Sequence, residues 1–128
     1  MSAIETMLAR ARAGLERVRP EDLDAAMAGG ALVVDIRPDR DRDADGILPG
    51  AIVLERNVLE WRLDPTSADA IPEADAARQV IIVCNEGYAS SLAASTLREL
   101  GLTRVGDLDG GYRAWRAGRN ATGDANTA

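Results

Sequence analysis

Apolar positions change period several times along the chain. From Ser2 to Arg17, Ile4, Met7, Leu8, Ala11 and Leu15 recur at helical spacing, and Ser2 with Glu5 forms a capping-box pattern. Pro20 to Met27 predicts a second, shorter helix: proline suits its first turn, and Gly29-Gly30 stops it. Leu23 and Met27 would face the core. Short, largely apolar segments then predict strands at Ala31–Ile36, Ala51–Leu54 and Val80–Val83, and a fourth, short strand is expected at Arg104–Leu108. Between the first two lies a charged loop, Arg37 to Gly46, and Pro49-Gly50 introduces the second strand. Asn57 to Trp61 predicts a helical turn capped by Asn57, and Asp64 to Ala77 a loop. Ser90 to Leu100 predicts a strong helix with Leu92, Ala93, Thr96, Leu97 and Leu100 on one face. Gly111 to Trp115 starts a last helix. From Gly118 the residues are small and polar, as in a flexible tail.

Apolar strands separated by helical segments predict an α/β fold: a doubly wound domain with a central, mainly parallel sheet and helices on both faces. Residues 20–117 would form this domain. Residues 1–19 would be an amphipathic helical extension and 118–128 the tail. In such sheets ligands sit outside the carboxyl ends of the strands. That places Cys84, Asp35 with Arg37, and Glu55 with Arg56 near one edge, because each follows directly after a strand.

Composition narrows the chemistry. The 128 residues suit one domain, and the 46% hydrophobic content supports an aliphatic core. The net charge of −6 argues against nucleic acid or an anionic membrane as partner, since both require a basic footprint. All basic residues are arginine, and the abundance of Ala and Gly suggests GC-rich, bacterial coding. No histidine is present to act as a base or bind a metal. The single cysteine allows no intramolecular disulfide and no cysteine zinc site. A reduced, cytoplasmic setting fits, and no signal peptide or membrane span is visible. Asp39, Asp41, Asp43 and Asp45 alternate as in a calcium loop, but the closing Glu is missing and arginines are interleaved. Internal ion pairing is the expected role. Neither a metal nor a cofactor is expected.

The stretch "VIIVCNEGYASS" carries the strongest chemical signal. A strand runs into the only cysteine, a short loop follows, and a helix begins. Gly87 permits a tight turn, and Ser90 or Ser91 could cap the helix. Such a loop aims successive backbone N–H groups inward, and a helix N-terminus adds positive potential. Both favour an anion at the loop's centre, where Cys84 would lie as a thiolate nucleophile. The competing expectation is a small core residue, since cysteine is among the residues most often buried.

Four segments together resemble the single-domain rhodaneses, which are thiosulfate or persulfide sulfurtransferases. "VVDIR" (33–37) is similar to the first-strand motif and "GILPGAI" (46–52) to the turn before the second strand. "VIIVCNEGYAS" (80–90) resembles the catalytic strand and active loop, and "GGYRAW" (110–115) the C-terminal signature. The resemblance implies that Cys84 takes up a sulfane sulfur as a persulfide. A thiol or cyanide acceptor would then remove it. The donor would be a small molecule or protein-borne. Asn85, Glu86, Gly87, Tyr88, Ala89 and Ser90 would cradle the persulfide. Asp35 and Arg37 would support the loop, and Gly110, Gly111 and Trp115 would pack the last helix.

Two positions depart from the family pattern. Ile47 stands where the turn motif often has His, and the loop carries Glu86 where thiosulfate-using members often have Arg or Lys. An arginine would have to offset Glu86; Arg56 is the candidate, and Arg37 another unless it is locked in a buried pair. A Cys-x5-Arg phosphatase is disfavoured because Ser90 stands at the arginine position. A catalytically weak module that binds a partner or senses persulfide is the alternative function. The N-terminal helix could serve a homodimer or pack on its own domain.

Overall fold

A computed structural model describes residues 1–121. Its centre is a four-stranded parallel sheet in the order β2-β1-β3-β4, with β1 at Leu32–Asp35, β2 at Ile52–Val53, β3 at Val80–Val83 and β4 at Val105–Asp107. Central β3 pairs with β1 through Leu32↔Val80 to Asp35↔Val83, and with β4 through Val80↔Val105 to Ile82↔Asp107. Both central strands are buried along their full length, which is why they read as unbroken apolar runs. The chain is an α/β protein, as its sequence pattern implies.

Alternation along the strands builds two cores. Leu32, Val34 and Ile36 join Val80, Ile82 and Cys84 on one face. There they meet Leu59 and Leu63 of α4 (Leu59–Leu63) and Ala93, Ala94 and Leu97 of α5 (Ala89–Glu99). On the other face, Val33, Ile81 and Val83 pack on Leu23 of α2 (Leu23–Ala28) and on Tyr112 and Trp115 of α6 (Gly111–Ala121). Cys84 continues the even-numbered set. Its side chain therefore emerges on the face that α5 covers, at the sheet's carboxyl end.

Several elements differ from expectation. Helix α1 spans Ala3–Ala13; the Ser2 hydroxyl caps it, accepting from the Glu5 N–H at 3.1 Å. It stops at Gly14 instead of continuing to Arg17. Residues 16–18 instead run beside β4: Glu16 N–H donates to Val105 O at 3.3 Å, and Val18 N–H to Asp107 O at 2.9 Å. The charged stretch expected as a loop contains helix α3, Asp39–Asp45. Pro38 opens it, and Asp39 and Asp41 occupy the first turn, where a helix favours negative charge. Without an apolar face, its period was invisible. Asn57 does not cap a helix: it lies inside a 3-10 turn, Arg56–Val58, that leads into α4. Helix α6 runs four residues into the segment expected as a tail, and residues 122–128 lie outside those described. Among the described residues no helix is long and apolar enough to cross a membrane.

Candidate active site

The loop from Cys84 to Ser90 leaves β3 and enters α5, and its backbone wraps the sulfur. Gly87 N–H donates to Cys84 Sγ at 3.1 Å and Ser90 N–H at 3.3 Å. No acceptor among the described residues takes the N–H groups of Glu86, Tyr88 or Ala89. The carbonyls point outward and are held there. Tyr112 N–H donates to Cys84 O at 2.9 Å, and Arg113 N–H to Asn85 O at 3.1 Å. Thus the free N–H groups at the start of α6 fix the loop's outer edge. Gly87 adopts φ +86°, and a Cβ there would lie 2.7 Å from Gly110 N. Gly111, at φ +69°, would place a Cβ 2.6 Å from Cys84 O, Asn85 C and Glu86 N. The glycine pair therefore seats the loop itself on α6, a more specific role than packing a helix on the sheet.

Ser90 and Ser91 do not cap α5. Its N-cap is Tyr88, with no side-chain cap bond. Both serine hydroxyls turn inward and donate to Asp107 Oδ2 at 2.7 Å. Asp107 is fully buried at the end of β4, and Arg17 binds it through Nε at 2.9 Å. Burial opposes the charge on Arg17, but Asp107, aided by Asp109, outweighs it and raises the guanidinium pKa. Arg17 also reaches Gly87 O at 3.2 Å, and Arg12 of α1 reaches the same oxygen at 2.8 Å. These three charged residues were not identified from the sequence. A lone Asp between buried residues in "RVGDL" was the available signal.

Asp35 and Arg37 form a buried ion pair beside the loop. Arg37 Nη2 lies 2.9 Å from Asp35 Oδ2, with the two side chains at most 1% exposed. Arg37 also donates to Gly46 O at 2.8 Å and to Asn85 Oδ1 at 3.4 Å, and it stacks 3.9 Å above the Tyr112 ring. Removing one partner of such a pair strands a buried charge, typically at a cost of about 3–5 kcal/mol. Arg37 is therefore committed to the frame and cannot offset Glu86. Nor does Arg56: its guanidinium pairs with Glu60 at 2.9 Å. The cation paired with Glu86 among the described residues is Arg113, at 3.7 Å. Arg113 also holds Asp45, whose carboxyl is kept below its ordinary pKa by hydrogen bonds from Asn85 and then Arg113.

In front of the sulfur lies a cavity of about 280 Å³. Cys84 forms part of its wall with Ile36, Pro38, Arg56, Glu86 and Tyr88. A second cavity of about 520 Å³ shares Ile36, Arg37, Pro38 and Arg56 and extends toward Arg42. Arg56 thus stands between the two openings. Tyr88 is 61% exposed and lies at the cavity's rim. Among the described residues there is no group of three or more acidic or cysteine side chains able to hold a metal.

The family model for the rhodanese-like domain matches residues 19–118. The chain belongs to the rhodanese-like family. It is 36% identical over 113 residues to the thiosulfate sulfurtransferase GlpE of Pseudomonas entomophila, covering 86% of this chain and 95% of that protein. It is 39% identical to the GlpE of Pseudomonas fluorescens SBW25, covering 79% and 84%. Among solved structures, human single-domain sulfurtransferase TSTD1 superposes with a TM-score of 0.69 at 25% identity, covering 81% of this chain and 97% of that one. A Rhodopseudomonas palustris protein of unknown function, described as a possible tyrosine phosphatase, gives a TM-score of 0.82 at 33% identity, with 92% of each chain covered. A phosphatase of the Cys-x5-Arg type needs a guanidinium where this rhodanese has Ser90, and the Ser90 hydroxyl is turned away onto Asp107.

Proposed function

We propose that this rhodanese-type sulfurtransferase takes a sulfane sulfur from thiosulfate or a persulfide onto Cys84 and passes it to cyanide or a thiol. The observation that carries this reading is the pair of backbone N–H bonds onto Sγ, inside a loop with further N–H groups unengaged. Backbone donors of this kind stabilise negative charge without a titrating base. In the first step the Cys84 thiolate attacks the outer sulfur of thiosulfate. The S–S bond breaks, sulfite leaves with the electron pair, and Cys84 carries a persulfide anion. In the second, cyanide attacks the outer persulfide sulfur. Thiocyanate departs and the electron pair returns to Cys84. Both leaving groups are anions, so neither step needs a proton donor. That is compatible with a chain that lacks histidine.

The roles of the remaining residues follow from position. Asn85 to Ser90 form the cradle, and Asp35 with Arg37 fixes its base. Arg56 faces the cavity and would meet the donor's anionic end. Glu86 lines the cavity but lies 3.7 Å from Arg113, a partial neutralisation that lessens its repulsion of an anion and supports the enzyme over the binding-module alternative. The same chemistry suits the reducing cytoplasm of a bacterium, and the GlpE relatives are bacterial. Helix α1 packs on its own domain through Ala11 and Arg12. Ile4 and Met7 remain exposed for self-association, which sedimentation would detect. The reading is tested by thiocyanate formation from thiosulfate and cyanide. Wild type should turn over and Cys84→Ala should not; equal rates in the two would overturn it.

A further inference from the structure

The N-terminal segment lies outside the matched family region, which begins at residue 19, yet it touches the active loop. Arg12 Nη2 and Arg17 Nη2 converge on one atom, Gly87 O, at 2.8 and 3.2 Å. Arg12 also donates through Nε to Ser91 Oγ at 3.0 Å, and its guanidinium lies 5.6 Å from the Tyr88 ring centroid. Arg17 is fixed in turn by Asp107. Arg12 has no carboxylate partner among the described residues, so its charge is directed at the loop and the first turn of α5.

Gly87 O and the Tyr88 N–H belong to the same peptide unit. That unit is planar and, like every peptide here, not cis. Its C=O and N–H therefore point in opposite directions. Holding the oxygen toward α1 sends the N–H away from α1, toward the interior of the loop. Two guanidinium groups on the oxygen also polarise the amide and strengthen it as a donor. We infer that Arg12 and Arg17 are positioning residues that aim and polarise the Tyr88 N–H for the outer sulfur of the Cys84 persulfide. This rests on the sulfur-transfer reading above. The arrangement places positive charge behind the loop, whereas its own side chains include only the acidic Glu86.

The test uses the full chain loaded with thiosulfate in the absence of acceptor, with persulfide lifetime followed by intact mass. Arg12→Ala removes one anchor without stranding a buried carboxylate. Arg17→Lys retains a cation near Asp107 but loses the fork that reaches Gly87 O. Arg104→Gln is the control: it breaks the exposed Arg104–Glu16 pair that ties the same segment to the residue before β4, with no contact to the loop. Arg12→Ala should shorten the persulfide lifetime and lower kcat about tenfold in a chain that remains folded by far-UV circular dichroism, a modest share of the loss seen when an anion-stabilising donor is removed outright. Guanidinium ion in the millimolar range should restore part of the loss. Arg17→Lys should move both readouts in the same direction, and Arg104→Gln neither. Wild-type lifetime and kcat in both Arg12→Ala and Arg17→Lys would overturn the positioning role alone. An absence of persulfide in the wild type would instead overturn the sulfur-transfer reading on which it rests.

Discussion

Asp45 shows how a surface carboxylate can serve the site. It accepts from Asn85 Nδ2 at 2.9 Å and from Arg113 Nε at 3.1 Å, and so orients the first residue of the loop after the nucleophile. These bonds keep its folded pKa below the unfolded value. Its contribution to stability is therefore complete above the ordinary carboxylate range of about 4 and lost as pH falls through the lowered folded value. Asp45→Asn should flatten the acid limb of the stability curve while changing little near neutrality. A chemical-denaturation series from pH 3 to 7 checks this, and an unchanged acid limb would refute it. Arg56 has a different role. It faces the cavity, and its ion-pair partner among the described residues is Glu60, in an exposed pair. Arg56→Gln should raise KM for thiosulfate several-fold with kcat nearly constant, the pattern expected when uniform binding is removed.

At the scale of elements, the site is a loop clamped between two helices and a strand end. Helix α6 supplies N–H groups to Cys84 O and Asn85 O, and it can approach so closely because Gly87 on the loop and Gly111 on the helix carry no Cβ. Gly111→Ala combines a positive φ with three contacts at 2.6 Å. It should abolish turnover while leaving far-UV circular dichroism largely intact; wild-type turnover in this variant would contradict the clamp. The two central strands, the sheet class and the cysteine loop were legible in the sequence because burial on both faces leaves apolar runs, one of them leading into the single thiol. Helix α3 was not, since none of its residues is buried. The partners of Asp107 were equally hidden. Arg17 lies 90 residues away in sequence, and no local period announces a contact at that separation. Arg56 was expected to offset Glu86 because it follows a strand. The side chain that does so, Arg113, instead lies on the helix that clamps the loop.

Across the whole molecule, a net charge of −6 surrounds a site that receives anions. At low ionic strength the summed field opposes the approach of a dianion, and the local cations act only within a Debye length of about 10 Å at 0.1 M salt. Raising sodium chloride from about 20 to 150 mM should therefore increase kcat/KM for thiosulfate, by screening the longer-ranged repulsion first. A steady fall across that range would mean that Arg56 and its neighbours dominate even at a distance.

The central claim is that Cys84 is a sulfur carrier held by backbone donors. Its most direct test is intact mass of the wild type after thiosulfate alone, followed by cyanide. The account predicts a gain of one sulfur atom per chain, located on Cys84, which cyanide removes as thiocyanate. A chain that gains no sulfur from thiosulfate or from a persulfide donor would contradict it.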